Sequence, residues 1–173
     1  MKWRMSTLLF QVLFTLFLAV MPFSEVRGAI PYGILVAKLN PILVFTASTL
    51  ANLAIIYPLL ITLNSVENFL LRRLEKLSRK KVFWRKVLAK YFRFREKTRR
   101  KVNPYVNRYG VIGLAVYTSI PLPFTGAWTA TFAAYILGVK WKTTFLSVGL
   151  GVVLAATLIF SMVFLGVSIK LFF

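Results

Sequence analysis

Two charged side chains, Glu25 and Arg27, stand in the stretch PFSEVRGAIPYG, between one apolar run ending at Met21 and another beginning at Pro41. A carboxylate can take up and release a proton, whereas a guanidinium keeps its charge and holds carboxylates, phosphates or carbonyls with a planar fork of donors. At the centre of a bilayer a charge costs roughly 2.5 to 3.5 kcal/mol, so a pair kept there marks a transport pathway or a pair of partners. The chemistry expected is proton exchange at Glu25, with Arg27 holding the charged form or an anionic substrate. The competing reading is a structural ion pair in the headgroup layer.

A second group lies in YTSIPLPFTGAW, where Thr118, Ser119, Pro121, Pro123, Thr125, Gly126 and Trp128 crowd together. Each proline removes a backbone donor and disfavours helix at the residue before it, so the helix must open there. Open helix ends present unpaired N–H and C=O groups, and Pro31 offers a similar interruption in the first stretch. Such ends suit an anionic headgroup or a coupling cation, and Trp128 and Tyr135 suit an apolar or cationic substrate.

The absent residues exclude other chemistry. The chain of 173 residues has no Cys and no His, and its 4 acidic residues are all Glu. Zinc sites and serine or cysteine hydrolase arrangements need those missing groups. Neither an enzyme nor a metal or other cofactor is expected.

The elements that must position these residues are membrane helices. Hydrophobic residues make up 58% of the chain and its mean hydropathy is +0.73, too apolar for an ordinary soluble domain. The fold class expected is an all-α polytopic membrane protein with three full transmembrane helices, two opposed re-entrant helical hairpins and a cytoplasmic basic amphipathic segment. The first span is placed at 6–21, where a basic start also resembles a signal peptide but no small-residue cleavage site follows. Re-entrant hairpin 1 is placed at 22–39, as two half-helices broken by Gly28, Pro31 and Gly33. The second span follows at 41–63, basic amphipathic helices at 64–108, re-entrant hairpin 2 at 109–139 and the last span at 143–166. Gly149, Gly151, Ala155 and Ala156 in the last span allow close approach of another helix.

Residues 64–108 carry 16 of the 23 basic side chains and 3 of the 4 Glu. Their apolar residues recur at spacings of three and four, the pattern of a helix lying on a membrane surface. Arg79, Lys80, Lys81, Trp84, Arg85 and Lys86 are its candidate contacts with anionic lipid headgroups. Nucleic acid is not an expected partner, because each basic residue beside an anionic membrane already gains about 1 kcal/mol. The excess of Lys and Arg places this segment in the cytoplasm. With the N-terminus also inside, Lys2, Arg4, Lys140 and Lys142 fall on the same side of the plasma membrane.

The motifs SEVRGAIPYGI at 24–34 and YTSIPLPFTGAWTATFAAYILGV at 117–139 resemble the small multidrug export protein family, which is itself similar to the DedA superfamily of membrane proteins. The resemblance implies two facing re-entrant loops, with Glu25 and Arg27 at the position of the first loop's functional charges. It implies proton-coupled transport, or translocation of lipids or lipid carriers. The second loop lacks the Arg that DedA proteins often carry there. The function expected is therefore export of small, amphipathic molecules between the hairpins, coupled to protons. DedA-like lipid scrambling and a membrane scaffold whose basic helix recruits partners are the alternatives. Three spans are few for one pathway, so a homodimer is the expected way to complete it.

Overall fold

The computed structural model describes residues 2–76, 90, 93, 96, 110–122 and 125–172, and every regular element among them is helical. Helix α1 runs Lys2–Val20 and α2 runs Glu25–Pro31, passing directly into a π-helical segment, Tyr32–Val36. Helix α3 is Pro41–Lys76, α4 is Gly110–Ser119, α5 is Ala127–Leu137 and α6 is Trp141–Phe172. Helices are the natural outcome of these apolar runs, because each backbone donor then finds its acceptor within the segment.

The first hairpin differs from the sequence expectation. Gly28, Pro31 and Gly33 do not split residues 22–39 into two half-helices. Pro31 lacks an N–H and its ring crowds the carbonyl four residues back, and from Tyr32 the helix widens into the π turn instead of breaking. The segment closes where Ala37 N–H donates to the Tyr32 carbonyl (2.9 Å) and Leu39 N–H to the Gly33 carbonyl (3.0 Å), around Lys38 at φ 53°. Asn40 then caps α3, its Oδ1 accepting from the N–H groups of Ile42 (3.0 Å) and Leu43 (3.3 Å).

Helix α1 runs antiparallel to α2. The Phe14 ring lies 5.0 Å from that of Tyr32, Thr15 and Val44 crowd Gly33, and the Val20 carbonyl accepts the indole N–H of Trp128 at 2.9 Å. The first hairpin is thus α1 with α2, its tip at 21–24. The start of α1 lies at the same end of the bundle as the 37–40 turn, opposite the end that α3 reaches at Lys76. Helix α1, at 19 residues, extends about 28 Å at 1.5 Å per residue before the chain turns back at 21–24.

Among the described residues, two helices are long and apolar enough to cross a membrane, Pro41–Leu70 and Trp141–Gly166. A third full span at 6–21 is not among them. Residues 64–76 continue α3 without a boundary at Leu63. The side chains expected on the lipid surface, Arg79, Lys80, Lys81, Trp84, Arg85 and Lys86, lie outside the described residues, as does Pro123.

The second hairpin opens where the prolines predict. Helix α4 stops at Ser119, and α5 starts after Gly126. Gly138, at φ 77°, ends α5 in the left-handed conformation. Helix α6 packs against α2, α3 and α5, with Val148, Val152, Ala155, Ala156 and Ile159 buried in a common core with Val26, Ile30, Val44 and Ile56. At Gly151 the contact with α4 is backbone-close, since an added Cβ would stand 2.6 Å from the Ala115 carbonyl oxygen. Large apolar side chains such as Ile42, Leu50, Leu146 and Met162 point outward, as lipid-facing positions do.

Candidate functional site

The opening between α4 and α5 exposes two helix ends of opposite polarity. Carbonyls at the end of α4 lack the N–H groups that a continued helix would supply, and the first N–H groups of α5 lack carbonyls. The two charges of the first hairpin meet these needs. Arg27 donates through Nη2 to the carbonyls of Ile120 (2.8 Å) and Thr118 (3.3 Å), and through Nη1 to that of Leu122. Glu25 accepts from the N–H of Ala127 at Oε2 (3.1 Å) and from that of Trp128 at Oε1 (3.3 Å).

Both placements follow the helix dipole: a carboxylate at the positive N-terminus and a guanidinium at the negative C-terminus. Hydrogen bonds to charged groups contribute about 1.5 to 3 kcal/mol each, so the first hairpin is a major part of what holds the second one open. Glu25 and Arg27 are each bonded to one end of the opposing break rather than joined as the ion pair considered from sequence.

Local structure aims the carboxylate. Glu25 stands at φ 50°, the left-handed region that a non-glycine residue occupies at a cost of roughly 1 to 2 kcal/mol, and its side chain is 4% exposed. Gly126 makes the approach possible, because an added Cβ would lie 1.8 Å from Glu25 Oε2. Asn52 of α3, fully buried, is close enough to act on the same carboxylate, although its amide atoms meet no partner in hydrogen-bonding geometry.

The other residues expected at the site take different parts. Trp128 bridges the hairpin tips through its indole N–H, and Tyr135 donates its hydroxyl to Glu67 of α3. Thr118 and Ser119 turn their hydroxyls back to the carbonyls of Leu114 (2.7 Å) and Val116 (2.8 Å), so Thr118 serves through its backbone carbonyl. The single hydroxyl hydrogen of Thr125 stands between the carbonyls of Ile120 (2.7 Å) and Leu122 (2.8 Å), both of which also accept from Arg27. Pro121 is exposed beside the break, while Pro31 lies about two helical turns from Glu25. Sequence reasoning missed Asn52 and Ser48; an amide one helical turn from a hydroxyl in an uncharged span was the available signal.

The family model described as "Putative small multi-drug export protein" matches residues 25–158, from Glu25 through both hairpin tips into α6. No curated protein and no solved structure matches the chain. With most of its length covered by that model, including the whole of the capped break, the chain belongs to the small multi-drug export protein family, a family of membrane exporters.

Proposed function

We propose that this protein is a proton-coupled secondary exporter of small amphipathic molecules, working where the tips of the two hairpins meet, and not an enzyme. The observation that carries this reading is the bonding of Glu25 to the N–H groups of Ala127 and Trp128 across the tips. A carboxylate in that position couples charge to geometry. When a proton adds to one Glu25 oxygen, the negative charge leaves the positive end of α5 and one acceptor becomes a donor facing N–H groups. The tips lose their strongest attraction, α5 is freed to tilt, and a path opens past the break; loss of the proton closes it.

In this reading α1 with α2 enters from the outer face of the plasma membrane and α4 with α5 from the cytoplasmic face. Each hairpin is followed by a full span, α3 or α6, giving two units of opposite orientation like those of inverted-repeat transporters. Two lengths support a midplane position for Glu25. Asn52 lies 11 residues below Pro41 on α3, about 16 Å, and Ala127 lies 10 residues above Leu137 on α5, about 15 Å, each near half of a hydrocarbon core of about 30 Å. The basic segment is cytoplasmic, docked on anionic lipid headgroups, and two copies pair to complete the pathway. Kinship with the DedA superfamily belongs to the same reading.

One observation favours a second function, lipid translocation. Leu122 and Ile120 at the break are 56% and 39% exposed, beside the half-buried guanidinium of Arg27, a setting that suits a phosphate headgroup. Purified protein in sealed liposomes separates the two. Efflux of a lipophilic cation such as ethidium, driven by a pH gradient, is expected; equilibration of labelled phospholipid between leaflets without a gradient would replace export with scrambling.

A further inference from the structure

The buried hydroxyls of this bundle divide into two groups. Those of Thr15, Thr49, Thr118, Thr144 and Ser147 donate to the carbonyl four residues back, at 2.6 to 3.2 Å, the common arrangement in membrane helices. Ser48 and Thr131 do not. Both are fully buried, their oxygens meet no protein partner, and the two amide atoms of Asn52 are in the same condition. A buried polar group without a partner costs about 1 to 3 kcal/mol.

These groups share one seam. Ser48 and Asn52 are one turn apart on α3, Asn52 acts on the Glu25 carboxylate, and Thr131 lies one turn beyond Ala127, which donates to that carboxylate. The face of α5 carrying Ala127 and Thr131 is turned toward α3, because Tyr135 on the next turn reaches Glu67 there. The polar stretch runs about 6 Å to either side of Glu25 along the helices. Buried apolar side chains on α3 bound it, Val44 above and Ile56 with Leu60 below.

The chemistry of the unpartnered atoms selects the occupant. Asn52 Nδ2 must donate, Asn52 Oδ1 must accept, and the two hydroxyls can do either. A bare cation would satisfy none of the donors, and the positive end of α5 opposes it. Water donates and accepts, and internal waters typically make about three bonds to such groups.

We propose that Ser48, Asn52 and Thr131 hold, beside Glu25, an occluded file of bound water that exchanges protons with the carboxylate. The inference rests on the proton-coupled reading and names the immediate proton partner of its carboxylate. A hydronium ion in the file breaks one O–H bond as the Glu25 Oε–H bond forms, leaving neutral water; release runs in reverse. Among the described residues, Arg27 on α2 is the charged group that acts on Glu25, and it is itself acted on by Tyr117 of α4. The spans facing the file from α1, α3 and α6 carry no acid or base at 7–20, 41–56 and 143–166.

Infrared difference spectra of the full chain in lipid bilayers, taken between high and low pH, test this without a transport substrate. A protonated-carboxyl band absent from Glu25→Gln identifies the proton site. In the wild type, a water O–H band that shifts in H2-18O should accompany it, and the carboxyl band should exchange rapidly in D2O. The near-isosteric pair Asn52→Leu and Thr131→Val should lose the water band and slow deuterium exchange at Glu25 by about tenfold or more. Absence of an isotope-sensitive water band in the wild type overturns the proposal, as does exchange unchanged in both variants. A titration that depends on sodium when choline replaces it at constant ionic strength overturns it in favour of a cation. Loss of the carboxyl band itself in the wild type would instead overturn the proton-coupled reading beneath it.

Discussion

Replacing Gly126 with Ala removes no polar group and should still disable the site. The backbone at Gly126, φ −87° and ψ −166°, accepts any residue, so no conformational strain accompanies the change. The added methyl would fall 1.8 to 2.2 Å from the carboxylate atoms of Glu25, and the side chain must leave. It then gives up the N–H groups of Ala127 and Trp128. At about 1.5 to 3 kcal/mol for a hydrogen bond to a charged group, and with part recovered by relaxation, the net loss is about 3 kcal/mol. Glu25→Ala should cost a similar amount, by leaving the same donors unpaired. In that background, however, the methyl meets no carboxylate, and adding Gly126→Ala should cost under about 0.5 kcal/mol. Reversible unfolding in mixed micelles of the wild type, both single variants and the double variant closes the cycle. A coupling near 3 kcal/mol is expected; additive effects would refute the contact between the tips.

Three further outcomes follow from the same geometry. Arg27→Lys keeps the charge but not the planar fork, leaving the Thr118 carbonyl without its donor while the single Thr125 hydroxyl serves Ile120 or Leu122 in turn; unfolding should register a loss of about 1 to 2 kcal/mol. Tyr135→Phe deletes the hydroxyl that bonds Glu67 and should lower stability by about 1 kcal/mol, with faster amide hydrogen exchange at the end of α5. Single cysteines are unusually clean probes in a chain that has none. In intact cells an impermeant maleimide should label Lys38→Cys, and it should reach Lys140→Cys only after permeabilisation; the opposite pattern would invert the proposed orientation.

The parts of this fold legible in the sequence are those governed by local chemistry. Pro121 removes a donor wherever it stands, so the opening after Ser119 could be placed to within a residue or two. Glu25 and Arg27 stood out because charge in an apolar stretch demands a reason. What they bond could not be read, since their partners lie roughly 90 to 100 residues away and are backbone groups, whose availability depends on a tertiary arrangement. The first hairpin misled for a related reason. Gly28, Pro31 and Gly33 look like a break, yet the π turn absorbs Pro31, and Gly33 lets α2's continuation approach Val44 and Thr15. Charge counting assigned the N-terminus its side on the premise that the first apolar run crosses completely. Asn52 and Ser48 were quiet in the sequence because hydroxyl and amide side chains in membrane helices usually satisfy themselves locally, and only the structure distinguishes those that do not.

Glu25→Gln tests the central claim most directly, because it keeps the shape of the side chain and removes only the group that titrates. Wild-type and variant proteins in sealed liposomes, carrying ethidium and an imposed pH gradient, should differ in one respect. The wild type should extrude the cation at a rate that varies with pH, and the variant should lose both gradient-driven extrusion and the pH dependence while remaining folded and monodisperse. A variant that extrudes ethidium with the wild-type pH profile would contradict the assignment of Glu25 as the proton site between the hairpins.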